Sequence, residues 1–276
     1  MIFSGLARAL ALAVFVLSAT SSGAAASASA TAAHECGLTG NAASRIVACT
    51  TSILSAELLG EDATHAYRLR ALAHRDAGDY DRAIADFGEA LQRQPGNASI
   101  LFERAGTFTT LGDYGNAISD YDRCLTIDPA NPRAYFQRGV TRYRLGEHSS
   151  AVDDYDQALR LDPEYAPAYN ERAWALYLLG DYPRALDDTR HALSVKPNMA
   201  PALDTRGHVL TALGRPDEGL FAFERAMDAG GRRFIQIYQS ALIRHGYYAG
   251  TADGTDREGV REALQACLAH HCRLLK

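Results

Sequence analysis

Along most of the chain, short amphipathic stretches alternate with brief polar breaks. Between Gly112 and Pro129, the residues Ala117, Ile118, Tyr121, Cys124 and Leu125 fall three and four apart, with Asp120, Asp122 and Arg123 beside that stripe. This spacing gathers the apolar groups on one face of a helix. The leading glycine suits a left-handed turn, and the closing proline lacks the N–H needed to continue the helix. The same order of events recurs from Thr64 to Gly231, with two such stretches between successive glycines. The pattern predicts helical hairpins and an all-α chain. One hairpin cannot hide its own apolar stripe, so neighbours must stack on it, and the expected product is a right-handed superhelical solenoid with one concave face.

The recurrence has a fixed length. Gly78, Gly112, Gly146, Gly180 and Gly214 lie 34 residues apart. Small residues follow at Ala83, Ala117, Ala151, Ala185 and Gly219, and aromatics at Phe87, Tyr121, Tyr155 and Phe223, with Thr189 the exception. Pro95, Pro129, Pro163 and Pro197 close four units, and Gly231 closes the last. Five copies in register resemble the tetratricopeptide repeat, a helical hairpin of this length, over residues 64–231. The resemblance implies a binding module rather than an enzyme.

A charged pair shares the period. Arg70, Arg104, Arg138 and Arg172 mirror Asp86, Asp120, Asp154 and Asp188 about the turn glycines. The arginines could form an anion-binding ladder, or each pair could brace its hairpin as a structural ion pair; residues identical in every copy favour bracing. Arg206 faces Ala222 where an aspartate would stand, with Glu218 and Glu224 as possible substitutes.

Residues that vary between copies are the better binding candidates. In the tetratricopeptide family one face of each first helix lines the concave groove. By that resemblance Phe102, Phe136, Tyr143, Asn170, Trp174 and Tyr177 form an aromatic centre, flanked by Arg68 and Arg75 on one side and by Asp204 and His208 on the other. Such a mix suits an extended peptide or a partner helix. Packing between repeats is the competing role for each aromatic. The clamp that some family members use to grip a C-terminal carboxylate is not carried over, because Leu72 and Gly106 stand where its asparagines would be needed.

The N-terminus departs from this pattern. Arg8 precedes an apolar run, residues 9–17, too short to span a bilayer comfortably, and Ala-x-Ala sites follow between Ala24 and Ala30. Residues 1–30 read as a cleaved secretory signal peptide, which predicts an exported, periplasmic protein with no membrane span after cleavage. The chain has 276 residues, 47% hydrophobic and 22% charged, with a net charge of −5. Cleavage removes Arg8 and no acid. With no basic stripe, nucleic acid is excluded as a partner.

Export makes disulfides the first reading of the cysteines. Cys36 and Cys49 bracket Gly40-Asn41, so residues 34–61 read as a degenerate first repeat stapled by a disulfide worth about 3 kcal/mol in the chain-entropy model. Cys124 takes the place of Ala90, Ala158, Ala192 and Ala226, as a buried small residue. Cys267 and Cys272 enclose His270-His271, and a disulfide is favoured there over a metal site.

Beyond Gly231 the period stops. Tyr238-Gln239, Gly246-Tyr247-Tyr248-Ala-Gly250 and Asp253-Gly254, followed by a helical stretch from Glu258, resemble the small peptidoglycan-binding module. Arg257 and Val260 stand where that family has a Gly and a Thr. Residues 232–276 are therefore either such a module or a helical cap on the last repeat. No phosphate loop, nucleophile elbow or zinc-protease motif is present, and Asp253-Gly-Thr-Asp256 lacks the calcium-binding glutamate because Leu264 stands there. The sequence therefore predicts a non-enzymatic scaffold of the bacterial periplasm, without cofactor or metal, that binds a protein or peptide. A structural cell-wall protein binding peptidoglycan, or an accessory subunit of an exported enzyme, are the alternatives.

Overall fold

The computed structural model describes residues 36, 40–54, 61–270 and 272. The expected signal peptide, residues 1–30, lies outside them. Thirteen helices make up the architecture among the described residues, and the all-α expectation holds. In chain order these are α1 (Ala42–Leu54), α2 (Glu61–Asp76), α3 (Tyr80–Arg93), α4 (Ala98–Leu111), α5 (Tyr114–Ile127), α6 (Pro132–Leu145) and α7 (His148–Leu161). There follow α8 (Ala166–Leu179), α9 (Tyr182–Val195), α10 (Ala200–Ala212), α11 (Pro216–Gly230), α12 (Arg232–Arg244) and α13 (Arg257–Ala269). The chain divides into two compact units, the first ending at Pro129 and the second beginning at Ala130.

Local chemistry sets each hairpin. Gly112, Gly146 and Gly180 end α4, α6 and α8 at φ near +85°, with values of 87°, 89° and 83°, a region a side chain rarely enters. Asp113 and Asp181 then cap α5 and α9, each carboxylate accepting from a backbone N–H three residues on. The second helices α3, α5, α7 and α9 end two residues before Pro95, Pro129, Pro163 and Pro197.

In the first unit α1 packs on α2, α2 on α3, α3 on α4 and α4 on α5. Cys36 and Cys49 form a disulfide with Cα atoms 4.6 Å apart. Phe87, Tyr121 and Cys124 are fully buried. Burial first, then Asp128 and Asp120, push the Cys124 thiol up to about 11, which leaves it unreactive at neutral pH.

In the second unit each helix likewise packs on the next from α6 to α11, and the first helices touch one another, α6 on α8 and α8 on α10. The period ends with α12 and α13, both of which pack on α11. Leu203 and Phe223 of the last repeat share one core with Tyr238 and Leu242 of α12 and Val260 and Leu264 of α13. Gln239 ties the intervening loop from inside: its Oε1 accepts from the Gly254 N–H at 2.6 Å, and its Nε2 donates to the Tyr248 hydroxyl at 3.2 Å. Gly254 is required there, since its φ is 78° and an added Cβ would collide with the Arg232 carbonyl. Cys267 and Cys272 are joined at the end of α13, with Cα atoms 5.2 Å apart.

Candidate functional site

The periodic charges close each hairpin from within. Arg70 donates to both oxygens of Asp86 at 2.8 and 2.7 Å, Arg104 to Asp120 at 2.6 and 2.8 Å, and Arg172 to Asp188 at 2.8 and 2.6 Å. Arg138 meets Asp154 at 2.6 Å, and Asp154 also accepts from Arg142 at 2.9 Å. All four aspartates are buried. Two-pronged, charge-assisted bonds of this kind offset much of the cost of burying the carboxylates.

The fifth copy differs. Neither carboxylate expected to substitute for the absent aspartate bonds to Arg206: Glu218 is held by Arg215 at 2.6 and 2.8 Å, and Glu224 by Arg261 at 2.6 Å. Arg206 has no ion pair or hydrogen bond among the described residues. Its guanidinium sits below the ordinary arginine range, by burial first and then by the positive charges of Arg190, Arg215 and Arg225.

The faces of the first helices carry the residues that the family resemblance assigns to a groove. In the second unit Tyr143 of α6, Trp174 and Tyr177 of α8 and His208 of α10 form a connected aromatic face. Trp174 Nε1 donates to the Tyr143 hydroxyl at 2.8 Å, and its ring stacks on Tyr177 at 5.1 Å with an interplanar angle of 24°. Tyr177 meets Tyr182 at 5.7 Å. Phe136 lies 4.9 Å from Tyr165 and 5.9 Å from Tyr155. Tyr143, Trp174, Tyr177 and Phe136 are each partly exposed.

Four residues depart from the open-groove expectation. Asn170 and His208 are buried, at 5% and 6% exposure. Asn170 accepts from the Thr205 hydroxyl at 3.0 Å, which links α8 to α10. Asp204 accepts from the Tyr238 hydroxyl at 2.6 Å, linking α10 to α12, and in the first unit Arg68 is bonded to Glu103, linking α2 to α4. One register position thus serves inter-repeat ties in three places, because it faces the next first helix. His208 packs edge-on against Phe223 at 5.0 Å, and burial holds its imidazole below the usual histidine range despite Asp204. Phe102 of α4 rests edge-on against Tyr121 at 5.8 Å, and Arg75 is partly exposed near the end of α2.

Sequence reasoning did not single out Tyr182 or Glu171. Tyr182 follows a turn Gly-Asp pair that reads as punctuation. Glu171 lies beside Asn170, and burial, against the opposing hydrogen bond from Asn170 and the charge of Arg144, raises its carboxyl above the ordinary glutamate range. Among the described residues no cluster of three or more His, Cys, Asp or Glu side chains is arranged to hold a metal ion. No described helix is long and apolar enough to cross a membrane.

Within each unit, helix pairs of fixed length packed in succession through complementary small and aromatic positions define a class: helical-repeat proteins. Tetratricopeptide-repeat models match residues 68–132, 132–165 and 154–187, so these repeats occupy the central part of the chain. The fold is shared with a tetratricopeptide repeat protein from Parabacteroides merdae, at 18% identity over 81% of this chain and 91% of that one, with a TM-score of 0.65. MamA from Desulfovibrio magneticus matches at 16% identity over 62% and 97%, TM-score 0.58, and YrrB at 17% over 66% and 91%, TM-score 0.55. No curated protein matches the chain.

Proposed function

We propose that the chain is a non-enzymatic scaffold of the bacterial periplasm that holds a protein or peptide on the aromatic face of α6 and α8. The observation that carries this reading is the set Tyr143, Trp174 and Tyr177: three large rings, partly exposed and fixed by mutual stacking and one hydrogen bond. Rings held in place before binding lose little conformational entropy on contact, and aromatic residues of this kind dominate interface energies. Phe136 extends the same face along α6. YrrB, which shares the fold, is described as having an unusual peptide-binding site, and a comparable use of the scaffold here is part of this proposal.

Photocrosslinking from position 136, on the same face, in cells, followed by mass spectrometry, tests the reading. A reproducible protein adduct that disappears in the double variant Trp174→Ala, Tyr177→Ala, with its melting curve retained, is the expected result. An adduct pattern unaltered by that variant would reject the reading. Amino-terminal sequencing of the secreted form, expected to begin after Ala30, tests export.

For residues 232–276 the cap reading is favoured over wall binding. Val260, one of the two positions that depart from the peptidoglycan-binding pattern, is fully buried against the last repeat, and Arg257, the other, donates to Asp228 of α11 at 2.9 Å. Both are spent on closing the array. Sedimentation of the exported chain with purified sacculi should be no greater than that of the same chain cut before Arg232.

A further inference from the structure

A recess lined by none of Tyr143, Trp174 and Tyr177 opens in the same unit. It lies among α9, α10 and α11, has a volume of about 640 Å³, and falls within the range of small-molecule sites. Its floor and walls are apolar, with Leu193, Leu203 and Leu210, and Phe221 stands at its side 61% exposed, an unusual position for a phenylalanine on a repeat helix. Three guanidinium groups line it: Arg190, Arg206 and Arg225.

These three are not equivalent. Arg190 is paired with Asp187 at 2.7 Å and Arg225 donates to the Pro197 carbonyl at 3.1 Å, whereas Arg206 is bonded to nothing among the described residues. In the four preceding repeats the arginine at this register grips a buried aspartate with two nitrogens. Here the aspartate's position is Ala222, which lines the recess. Two acids also line it, and neither bonds to Arg206: Glu218 acts on it only through its charge because its carboxylate is locked in a two-pronged bond to Arg215, and Asp217 lies in the exposed first turn of α11. An arginine fork keeps its charge and presents a geometry matched to a carboxylate, so an unmatched fork at the edge of an apolar hollow selects for an anion with a hydrocarbon body.

We propose that this recess binds a medium-chain fatty carboxylate, whose carboxylate takes the place on Arg206 that an aspartate holds in the other repeats and whose alkyl chain lies along Leu193, Leu203, Leu210 and Phe221. Leu210 and Ala222 of this recess belong to the core on which Tyr143, Tyr177 and Tyr182 also pack.

Isothermal titration of the full exported chain with decanoate, below its micellar range, tests the proposal, with decan-1-ol as the uncharged control. Saturable binding of decanoate, at least tenfold tighter than of the alcohol, is the expected result. Arg206→Gln should weaken it about tenfold to a hundredfold, the range of a charge-assisted bond. Ala222→Asp, which supplies Arg206 with an internal carboxylate, should do the same by competition. Circular dichroism shows whether each variant keeps its fold, and the acid-against-alcohol comparison on the unaltered chain decides the matter if either does not. Absence of decanoate binding, equal binding of acid and alcohol, or undiminished binding by both folded variants overturns the proposal.

Discussion

The fourth and fifth repeats, α8 with α9 and α10 with α11, occupy the same unit and share the same register, yet they are held by different forces. In the fourth, Arg172 reaches Asp188 within the hairpin and Asp156 of the preceding one at 2.5 Å, and the aromatic position is Thr189. In the fifth, the strut is gone and Phe223 fills the aromatic position, fully buried between His208 and Tyr238. A repeat with neighbours on both sides can lean on charges whose partners come from either side. The last repeat receives a helical pair of another kind, α12 and α13, and what it offers them is a large apolar surface. The arginine retained in the fifth copy is therefore left without its structural task.

The largest effect expected from this contrast is at Phe223. Phe223→Ala should cost about 3–5 kcal/mol in urea unfolding, since it opens a cavity in the core shared by the last repeat and the cap. A loss below 1 kcal/mol would show that α12 and α13 do not depend on that core. Next comes the strut itself: Arg172→Gln strands two carboxylates and should cost about 3 kcal/mol, while Arg206→Gln should stay within about 0.5 kcal/mol. Equal losses at the two sites would erase the distinction between the repeats. Arg138→Gln should fall between them, at about 1–2 kcal/mol, because Arg142 remains on Asp154.

The smallest effect is one of pH. Burial lowers the His208 pKa in the folded state relative to the unfolded chain, so the unfolded chain binds the proton more readily. Its contribution is fully present above the unfolded histidine value, about 6.5, and is lost as pH falls from there through the folded value. His208→Gln should therefore lose less melting temperature than the unaltered chain between pH 7.5 and pH 5. An identical acid response would remove His208 from the account.

Some of this was legible without coordinates, and the boundary of legibility has a physical origin. The turn glycines and the closing prolines act within a few residues of chain, so their period reveals the hairpins directly, whereas the capping by Asp113 and Asp181 emerged with the structure. The binding face was only half legible. A register position shows which face a side chain leaves, and Trp174 and Tyr177 leave the same one; it does not show how far the next first helix closes over it. Register thus places Asn170 and Asp204 on an open groove, whereas in the structure they accept hydrogen bonds from Thr205 and Tyr238, 35 and 34 residues on. Glu218 and Glu224 were plausible partners for Arg206 by position, and both are taken by arginines elsewhere, one of them on α13.

By itself, then, the sequence determined that this is an array of helical hairpins, where each one turns, and which residues recur as scaffold, because those properties are set by contacts local in the chain and repeated at a fixed period. Tertiary structure alone decided which aromatics stay partly open, that the segment after Gly231 shares the last repeat's core, and that Arg206 is left unmatched beside an apolar recess. Those outcomes depend on competition among side chains distant in sequence for the same partners and the same space, and periodicity carries no information about who wins it.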